Sequence, residues 1–424
     1  MYEKKVISAV LCLVMVMSMT ACGQGKTKTD EDGAKTAGTG SGSEKISFWY
    51  MGDGNTDIEP LINEFTEETG IEVEIISVPW RSLSEKLATA ISSQSGPDVM
   101  QTAVSRTAEL VNADAIIDMT EYVNSVDNFA VDNFFEASYD SLKIEDKYYG
   151  VPWFADVYVP FYRTDLFEEA GYEEFPKTWD EFYDACSKIT EETGKYSFEI
   201  LGASDYNFLF TFAYQSGSEI ITEDRKAVFN EPEFVDAVTY LSSFYDAGLA
   251  DRDNDGIDRW IKLANGDVSA VLGATWVITP LDEIPEAEGK WGMSVWPEGP
   301  ATNDSVYAGS NLVIPTWTKN EDAAVKLIEF LTSAESEVKY YEQTKALPAS
   351  IAAWEDEKIK SNEQYTVFNE QLSNAKQFPM VPEIEEIGIL AAQEFERISV
   401  GKEDPQTVMD DLNEKAQAIL DRNK

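Results

Sequence analysis

One acidic loop of the sequence has the residue spacing of a cation site. In the segment DRDNDGID, positions 1, 3 and 5 are Asp251, Asp253 and Asp255, and position 6 is a glycine. This is the first half of an EF-hand loop, in which carboxylate oxygens bind Ca²⁺ and glycine makes the sharp turn. Position 12 is Lys262 instead of the bidentate glutamate. The loop predicts either a calcium site closed by a distant acid or an acidic surface turn.

Other site chemistry is restricted by composition. The chain has no histidine, which excludes Ser-His-Asp and Cys-His catalysis and every zinc site that uses imidazole. Of the three cysteines, two lie in the N-terminal region and Cys186 stands alone, so no internal disulfide or thiolate cluster is expected. Cys186 lies in a predicted helix, where we expect a small buried apolar residue. Apart from calcium, no cofactor is predicted.

The N-terminus has the features of an exported, lipid-anchored protein. Two lysines precede an apolar run at 6–19, which is shorter than the ~20 residues of a membrane helix and fits a cleavable signal. The run ends in the residues MTAC, which resemble a bacterial lipobox, where the cysteine is lipidated and the peptide is cut before it. We interpret 1–21 as a signal peptide and Cys22 as the lipidated residue. The alternative is cleavage elsewhere, with Cys22 an ordinary thiol.

The segment that follows, 22–44, has no aromatic and no large aliphatic residue. It cannot bury enough apolar surface to fold, and its glycines and serines predict a flexible linker. Lipid, linker and folded body is the layout expected at the extracytoplasmic face of a bacterial cell membrane.

Charge and size limit the partners and the architecture. The formal charge is −45, from 33 basic and 78 acidic residues, so the body repels phosphate backbones and anionic headgroups. Nucleic-acid binding is therefore not expected, and only the lipid would hold the protein at a membrane. About 380 residues follow the linker, which predicts more than one hydrophobic core.

Strands and helices alternate at the start of the body. The predicted elements are a strand at 45–51, a helix around 58–65, a strand at 71–78, a helix at 80–94, a strand at 98–101 and a helix at 105–112. This β-α-β-α-β order is typical of a parallel sheet covered by helices. Further along, TWDE at 178–181 is a capping box that predicts the start of a helix.

Five segments in order carry a family resemblance. They are ISFWYMGDGN with LINEFTEETGIEVEI, SGPDVM, YYGVPWFADVYVPFYRTDLFEEAG with PKTWDEF, NGDVSAVLGATW, and YAGSNLVIPTWTKNEDAAVKLIEFL. Together they are similar to the extracellular solute-binding proteins of ABC sugar transporters, the family that contains maltose-binding protein. The resemblance covers nearly all of the chain from residue 46 onwards.

The resemblance implies an α/β, two-lobed, periplasmic-binding-protein-like fold of type II. Its hinged lobes would each have a mainly parallel sheet flanked by helices, with lobe 1 at 45–154 and 306–345 and lobe 2 at 155–305 and 346–424. A sugar or oligosaccharide would bind between the lobes, beyond the carboxyl ends of the strands. A monomeric, non-enzymatic protein would then deliver this ligand to the permease subunits of an ABC importer.

A sugar requires polar side chains for its hydroxyl rim and flat aromatic rings for its C–H faces. The predicted ligand residues are Asp53, Arg106, Trp153, Asp156, Asp205, Asn207, Trp276, Gly309, Ser310 and Trp354. The family resemblance carries six of these, namely Asp53, Arg106, Asp156, Asp205, Asn207 and Trp276. The strongest is Trp276, which follows a strand as the stacking tryptophan of the family does. Gly309 and Ser310 precede a strand, where small residues would let the backbone approach a ligand.

Each of these residues has a plainer alternative. Asp53 also fits a turn before glycine, and Arg106 fits a helix start paired with a surface carboxylate. The other acids fit solvated loop positions, and the tryptophans fit core positions. Ser105 and Thr102 stand where a relative has Asp and Trp, which implies a different sugar or a different ligand orientation.

Other functions remain open at this level. A surface glycosidase would use paired carboxylates such as Asp156 and Asp205 at ~5–5.5 Å. A structural adhesin would bind no small ligand. A binding protein for polyamines, iron or thiamine is also compatible with the sequence, whereas the excess of acids disfavours an anionic ligand.

Overall fold

The computed structural model describes residues 44–52, 57–200, 205–251, 257–362 and 364–422. The predicted signal peptide, Cys22 and all of the predicted linker except Glu44 lie outside these ranges. Among the described residues, no helix is both long enough and apolar enough to cross a membrane.

The described residues form thirteen β-strands and seventeen α-helices. The strands are β1 (Lys45–Met51), β2 (Glu72–Val78), β3 (Val99–Ala103), β4 (Lys143–Ile144), β5 (Lys147–Tyr148), β6 (Val151–Val157), β7 (Val159–Arg163), β8 (Phe198–Glu199), β9 (Ala270–Gly273), β10 (Trp291–Met293), β11 (Ser305–Val313), β12 (Leu347–Pro348) and β13 (Ala375–Lys376). The α-helices are α1 (Glu59–Thr69), α2 (Leu83–Ser93), α3 (Thr107–Asn112), α4 (Thr120–Ser125), α5 (Glu136–Asp140), α6 (Thr164–Glu169), α7 (Trp179–Thr193), α8 (Tyr206–Gln215), α9 (Pro232–Asp246), α10 (Arg259–Asn265), α11 (Ile278–Asp282), α12 (Glu321–Leu331), α13 (Ala334–Thr344), α14 (Glu357–Lys360), α15 (Gln364–Leu372), α16 (Ile384–Ser399) and α17 (Pro405–Asp421). Short 3-10 turns occur at Trp80–Ser82, Val104–Arg106, Asp127–Phe129, Val131–Asn133, Thr275–Val277, Pro285–Ala287 and Ala353–Glu355.

The first sheet is built on the β-α-β-α-β unit that the sequence predicts. Its strand order is β12-β6-β11-β3-β1-β2, with β13 beside β11. β1 pairs in parallel with β2 and β3, whereas β11 is antiparallel to β3 and β6. The sheet is therefore mixed and not mainly parallel, because β11, β12 and β13 run opposite to β1–β3, whereas β6 runs in the same direction as β1–β3.

A second sheet has the order β10-β7-β9-β8 and is also mixed. β7 is antiparallel to β9 and to β10, and β8 is parallel to β9. β6 of the first sheet continues into β7 of the second through Tyr158. The two sheets form two lobes, and this extended segment connects them directly.

Each lobe has its own hydrophobic core. The core of the first sheet includes Phe48, Val99 and Trp153 and is covered by helices such as α1 and α12. The second sheet separates two cores, because alternate residues of β9 point to opposite faces. Helices α7, α8, α9, α16 and α17 cover the larger of these. Cys186 is fully buried there, as predicted, and burial raises the pKa of its thiol.

Local sequence signals explain how key helices begin and end. α1 ends at Gly70, whose φ of 73° is a left-handed conformation that glycine adopts without strain. At the start of α7, the Thr178 hydroxyl accepts a hydrogen bond from the backbone N–H of Glu181 at 3.3 Å. The Glu181 carboxylate in turn accepts one from the backbone N–H of Lys177 at 2.9 Å. The first bond is the N-cap half of the capping box predicted from TWDE, whereas the second reaches the residue before Thr178 instead of Thr178 itself.

Candidate functional site

The residues that follow β1, β2 and β3 meet at one edge of the first sheet. Because these three strands are parallel neighbours, their carboxyl ends lie side by side, the usual position of a ligand site in an α/β sheet. Trp80 follows β2 and is exposed, and Arg106 follows β3. Asp53, predicted at the corresponding place after β1, lies outside the described residues.

Arg106 is held by groups from both lobes. Its Nη1 donates to Glu109 Oε2 at 2.7 Å, and its Nη2 donates to Ser84 Oγ at 2.8 Å. Nη2 also lies 2.9 Å from Oε2 of Glu385, which belongs to α16 in the second lobe. Burial alone would lower the pKa of Arg106, but the charges of Glu385 and Glu109 raise it. The guanidinium is thus engaged by the protein itself.

Asp205, Asn207 and Tyr158 form a polar cluster in the second lobe. Asp205 caps α8, and its carboxylate accepts a hydrogen bond from the backbone N–H of Asn207 at 3.1 Å. The Asn207 amide donates to the Tyr158 hydroxyl at 3.2 Å. Burial raises the pKa of Tyr158, and the charge of Asp205 adds to this shift. The cluster therefore offers a carboxylate, an amide and a neutral phenol at one place.

Arg259 connects this cluster to Trp276. One guanidinium nitrogen, Nη2, lies 3.6 Å from Asp205 Oδ2, and Nη1 donates to the carbonyl of Leu272 at 2.9 Å. The guanidinium carbon lies over the Trp276 indole, 5.3 Å from the ring centroid. Trp260 packs edge-on against the same indole at 5.7 Å. Trp276 still remains 40% exposed, so flat apolar surface lies next to the carboxylate and the amide.

This arrangement has the chemistry needed to bind a carbohydrate. The exposed part of the Trp276 indole can stack on the C–H face of a sugar ring. The carboxylate of Asp205 and the amide of Asn207 can pair with sugar hydroxyls at the rim of that ring. Because an unpaired buried polar group costs ~1–3 kcal/mol, such pairing selects ligands by the position of their hydroxyls. Asp205 and Trp276, which are far apart in sequence, thus share one surface.

The two other predicted tryptophans pack inside the protein, and for Trp153 this corrects the predicted ligand role. Trp153 is fully buried in the first core, where its ring stacks on Tyr340 with the centroids 4.7 Å apart. Trp354 is partly buried; its indole N–H donates to the carbonyl of Pro348 at 2.8 Å and its ring packs edge-on against Phe135. Trp354 therefore fixes the segment around β12, which agrees with the core alternative.

Asp156 is also buried. It is 4% exposed, and its Oδ2 accepts a hydrogen bond from the Thr275 hydroxyl at 2.7 Å. Oδ1 accepts from the backbone N–H of Val157 at 2.9 Å. Burial raises the pKa of Asp156 to about 6, although these hydrogen bonds act in the opposite direction. Its observed role is to join β6 to the turn that carries Trp276.

Gly309 and Ser310 are explained by strand packing. Gly309 has a φ of 139°, and a Cβ added there would lie 2.5 Å from the carbonyl oxygen of Phe154. Glycine is therefore required by the close approach of β6 and β11. Ser310 is buried, and its hydroxyl accepts a hydrogen bond from the Gln101 amide at 3.0 Å. Neither observation needs a ligand, which corrects the expectation for Ser310 in particular.

The calcium site stays a prediction, because most of the acidic loop lies outside the described residues. Asp253 and Asp255 lie outside the described residues, whereas Asp251 lies within them. In the part of the chain that the structure describes, no group of three acidic or cysteine side chains is placed to hold a metal ion.

Sequence reasoning missed three residues that shape this region: Tyr158, Arg259 and Glu385. Tyr158 lies within the segment VPWFADVYVPFYR, where it is one of several aromatic residues. Arg259 is a basic residue directly after an acidic loop, which is a weak signal of pairing. Glu385 stands among other acids in PEIEEIG, and nothing in the sequence distinguishes it.

The amino-acid sequence matches a family of known proteins. A family model described as bacterial extracellular solute-binding protein matches residues 60–367. The galactooligosaccharide-binding protein of Bacillus subtilis is 24% identical over 400 residues, covering 91% of this chain and 91% of that protein. The maltooligosaccharide ABC transporter solute-binding lipoprotein of Streptococcus pneumoniae is 23% identical over 395 residues, covering 89% of each.

The fold has a close counterpart among solved structures. The sugar-binding protein MalE from Xanthomonas citri matches with a TM-score of 0.81 and 26% identity, over 89% of this chain and 98% of that one. A match over nearly the whole of both chains includes both sheets. The two-lobed α/β fold predicted from the sequence is thereby confirmed.

Proposed function

The chain belongs to the bacterial extracellular solute-binding protein family, and we propose that it binds a sugar or oligosaccharide for an ABC importer. The observation that carries the ligand class is the shared surface of Trp276, Arg259 and Asp205, where an exposed indole lies beside polar groups. Relatives named for galactooligosaccharides and maltooligosaccharides support the same class. The family description implies an extracytoplasmic location.

In this proposal the ligand docks on one lobe, and closure of the other lobe completes its contacts. The first lobe would comprise 45–154 and 306–345, and the second 155–305 and 346–424. The direct passage from β6 to β7 through Tyr158 supports a crossing close to the first of these boundaries, three residues later than 154/155, because β6 stays in the first sheet as far as Val157. The protein, acting as a monomer, then presents the ligand to the membrane permease.

Attachment to the membrane forms a second part of the proposal. Residues 1–21 would be removed, and Cys22 would carry the lipid at the start of the linker at 22–44. The pneumococcal relative named as a lipoprotein supports this arrangement. Cys22→Ser is expected to move the protein from the membrane fraction into the soluble extracytoplasmic fraction, which cell fractionation measures.

A thermal-shift screen over monosaccharides and oligosaccharides tests the ligand class. At 100 times its Kd, a ligand that binds only the folded state adds ~2.7 kcal/mol to the free energy of unfolding, and the melting temperature rises accordingly. We expect at least one sugar to give such a rise. The proposal fails if no sugar does so while a polyamine, thiamine or an iron complex raises the melting temperature under the same conditions.

The carboxylate pair that a glycosidase would need is not available at Asp156 and Asp205. It needs two carboxyl groups facing one substrate, and Asp156 is buried with both oxygens hydrogen-bonded inside the protein. Binding without turnover is therefore proposed, and release of chromophore from a chromogenic glycoside would contradict it. The adhesin alternative predicts no stabilisation by any small ligand in the same screen.

Arg259→Lys tests whether the guanidinium positions Trp276 and Asp205 for sugar binding. Lysine keeps a positive charge beside Asp205 but loses the planar group that lies over Trp276, so we expect sugar binding to weaken about tenfold. Isothermal titration calorimetry measures this change. Arg397→Lys is the matched control, because Arg397 also pairs with a carboxylate, Glu403 at 2.6 Å, and lies near the C-terminal end of α16, outside the cluster. Equal affinities for the two variants would remove Arg259 from the site.

A further inference from the structure

Glu385 accepts contacts from both lobes at once. Its Oε2 lies 2.9 Å from Nη2 of Arg106, which follows β3 in the first lobe. Its Oε1 accepts a hydrogen bond from the hydroxyl of Ser105, next to Arg106, and another from the Tyr206 hydroxyl at 2.8 Å. Tyr206 opens α8 and Glu385 lies in the first turn of α16, both in the second lobe. One carboxylate therefore joins the turn after β3 to two helices of the other lobe.

The surroundings of this carboxylate are shaped for the contact. The side chains of Arg106 and Glu385 are 10% and 15% exposed, so salt screens their attraction only weakly. At Gly388, one turn along α16, an added Cβ would lie 2.6 Å from the ring of Tyr206. Glycine thus lets the tyrosine pack on the helix and reach Glu385. Val104, two residues before Arg106, packs into the core of the second lobe.

We propose that Glu385 is a latch that holds the two lobes together in the closed arrangement. Hydrogen bonds in which one partner is charged are stronger than neutral ones, and here two neutral hydroxyls and one guanidinium converge on the same carboxylate. The family resemblance implies that Arg106 contacts the ligand, whereas this geometry assigns it to the contact between lobes. Glu385 is accordingly a positioning residue, which acts on ligand binding through closure.

The latch has a defined consequence for binding. A contact that exists only when the lobes are together raises the population of the closed form, whether or not ligand is present. A ligand enclosed between the lobes leaves only after the latch has opened, so the latch slows dissociation. This last link rests on the proposed function, whereas the effect on the lobes does not.

The test compares Glu385→Gln with Glu386→Gln. Glu386 is the next residue of α16 and pairs with Arg422 at 2.6 Å on the exposed surface of the same lobe, so its substitution removes an equal charge without touching the first lobe. Small-angle X-ray scattering of the ligand-free proteins is expected to show a larger radius of gyration for E385Q and no change for E386Q. With a bound sugar, E385Q should dissociate about tenfold faster than wild type.

Two further variants remove one donor each and leave all charges in place. Tyr206→Phe acts from the second lobe and Ser105→Ala from the first, and both should shift the scattering curve in the same direction as E385Q but less far. They keep the test valid if E385Q does not fold. Scattering curves of E385Q, Y206F and S105A that coincide with those of wild type and E386Q would overturn the latch. If no sugar binds the wild type, the proposed function fails, but the ligand-free scattering still decides this inference.

Discussion

Trp276→Ala is expected to weaken sugar binding about 30-fold, a loss of about 2 kcal/mol, and to leave the free energy of unfolding nearly unchanged. The indole is 40% exposed, so its truncation removes stacking surface without opening a cavity in a core. Calorimetric titration with a sugar from the thermal-shift screen measures the affinity. Urea unfolding of the same preparations measures stability.

Tyr196→Ala is the matched control for this substitution. Tyr196 is an aromatic residue of nearly equal exposure, 41%, outside the cluster around Asp205 and Trp276. We expect its loss to leave the affinity for sugar at the wild-type value. Trp276→Phe retains a flat ring and should recover part of the affinity. Wild-type affinity in Trp276→Ala would mean that the indole is not the ligand surface.

The first part of the fold could be predicted because each element carries its own pattern. The strand predicted at 45–51 is β1, and the apolar residues around 58–65 line the buried face of α1. The mixed character of both sheets could not be predicted in this way. Whether two strands pair in parallel or antiparallel depends on how the chain passes between the lobes. The residue pattern of a single strand does not indicate this.

The site residues also fall into those that the sequence could indicate and those that depend on the tertiary structure. Trp276 follows a recognisable strand and Asp205 comes just before the aromatic run FLFTF, and the structure brings them to one surface through Arg259. Trp153 lies in β6, a strand buried along most of its length, so the sequence lacks the apolar-polar alternation that would have shown which face points to the core. Glu385 acquires its role only because α16 ends up opposite the turn after β3, and this is a property of the tertiary structure.

Asp156→Asn is expected to change stability by an amount that depends strongly on pH. Burial raises the pKa of Asp156 from its ordinary value of 3.8 to about 6, so the folded protein holds this proton more tightly than the unfolded chain. The stabilisation from Asp156 is therefore complete below pH 3.8 and is lost as the pH rises through 6. A shift of about two pH units corresponds to about 3 kcal/mol.

Asparagine stays neutral and can keep both partners: its oxygen accepts from the backbone N–H of Val157, and its amide donates to the Thr275 hydroxyl, which reverses the direction of the second hydrogen bond. Relative to wild type, D156N should therefore gain about 2 kcal/mol between pH 4 and pH 7, which is most of the full effect, measured by urea unfolding across that range. Asp98→Asn is a control of opposite sign. Burial alone would raise the pKa of Asp98, but hydrogen bonds from Thr318 and Ser47 lower it, so its stabilisation is lost as the pH falls. A difference between D156N and wild type that does not vary with pH would mean that Asp156 is not buried between β6 and the Trp276 turn, and would return it to the surface as a ligand residue.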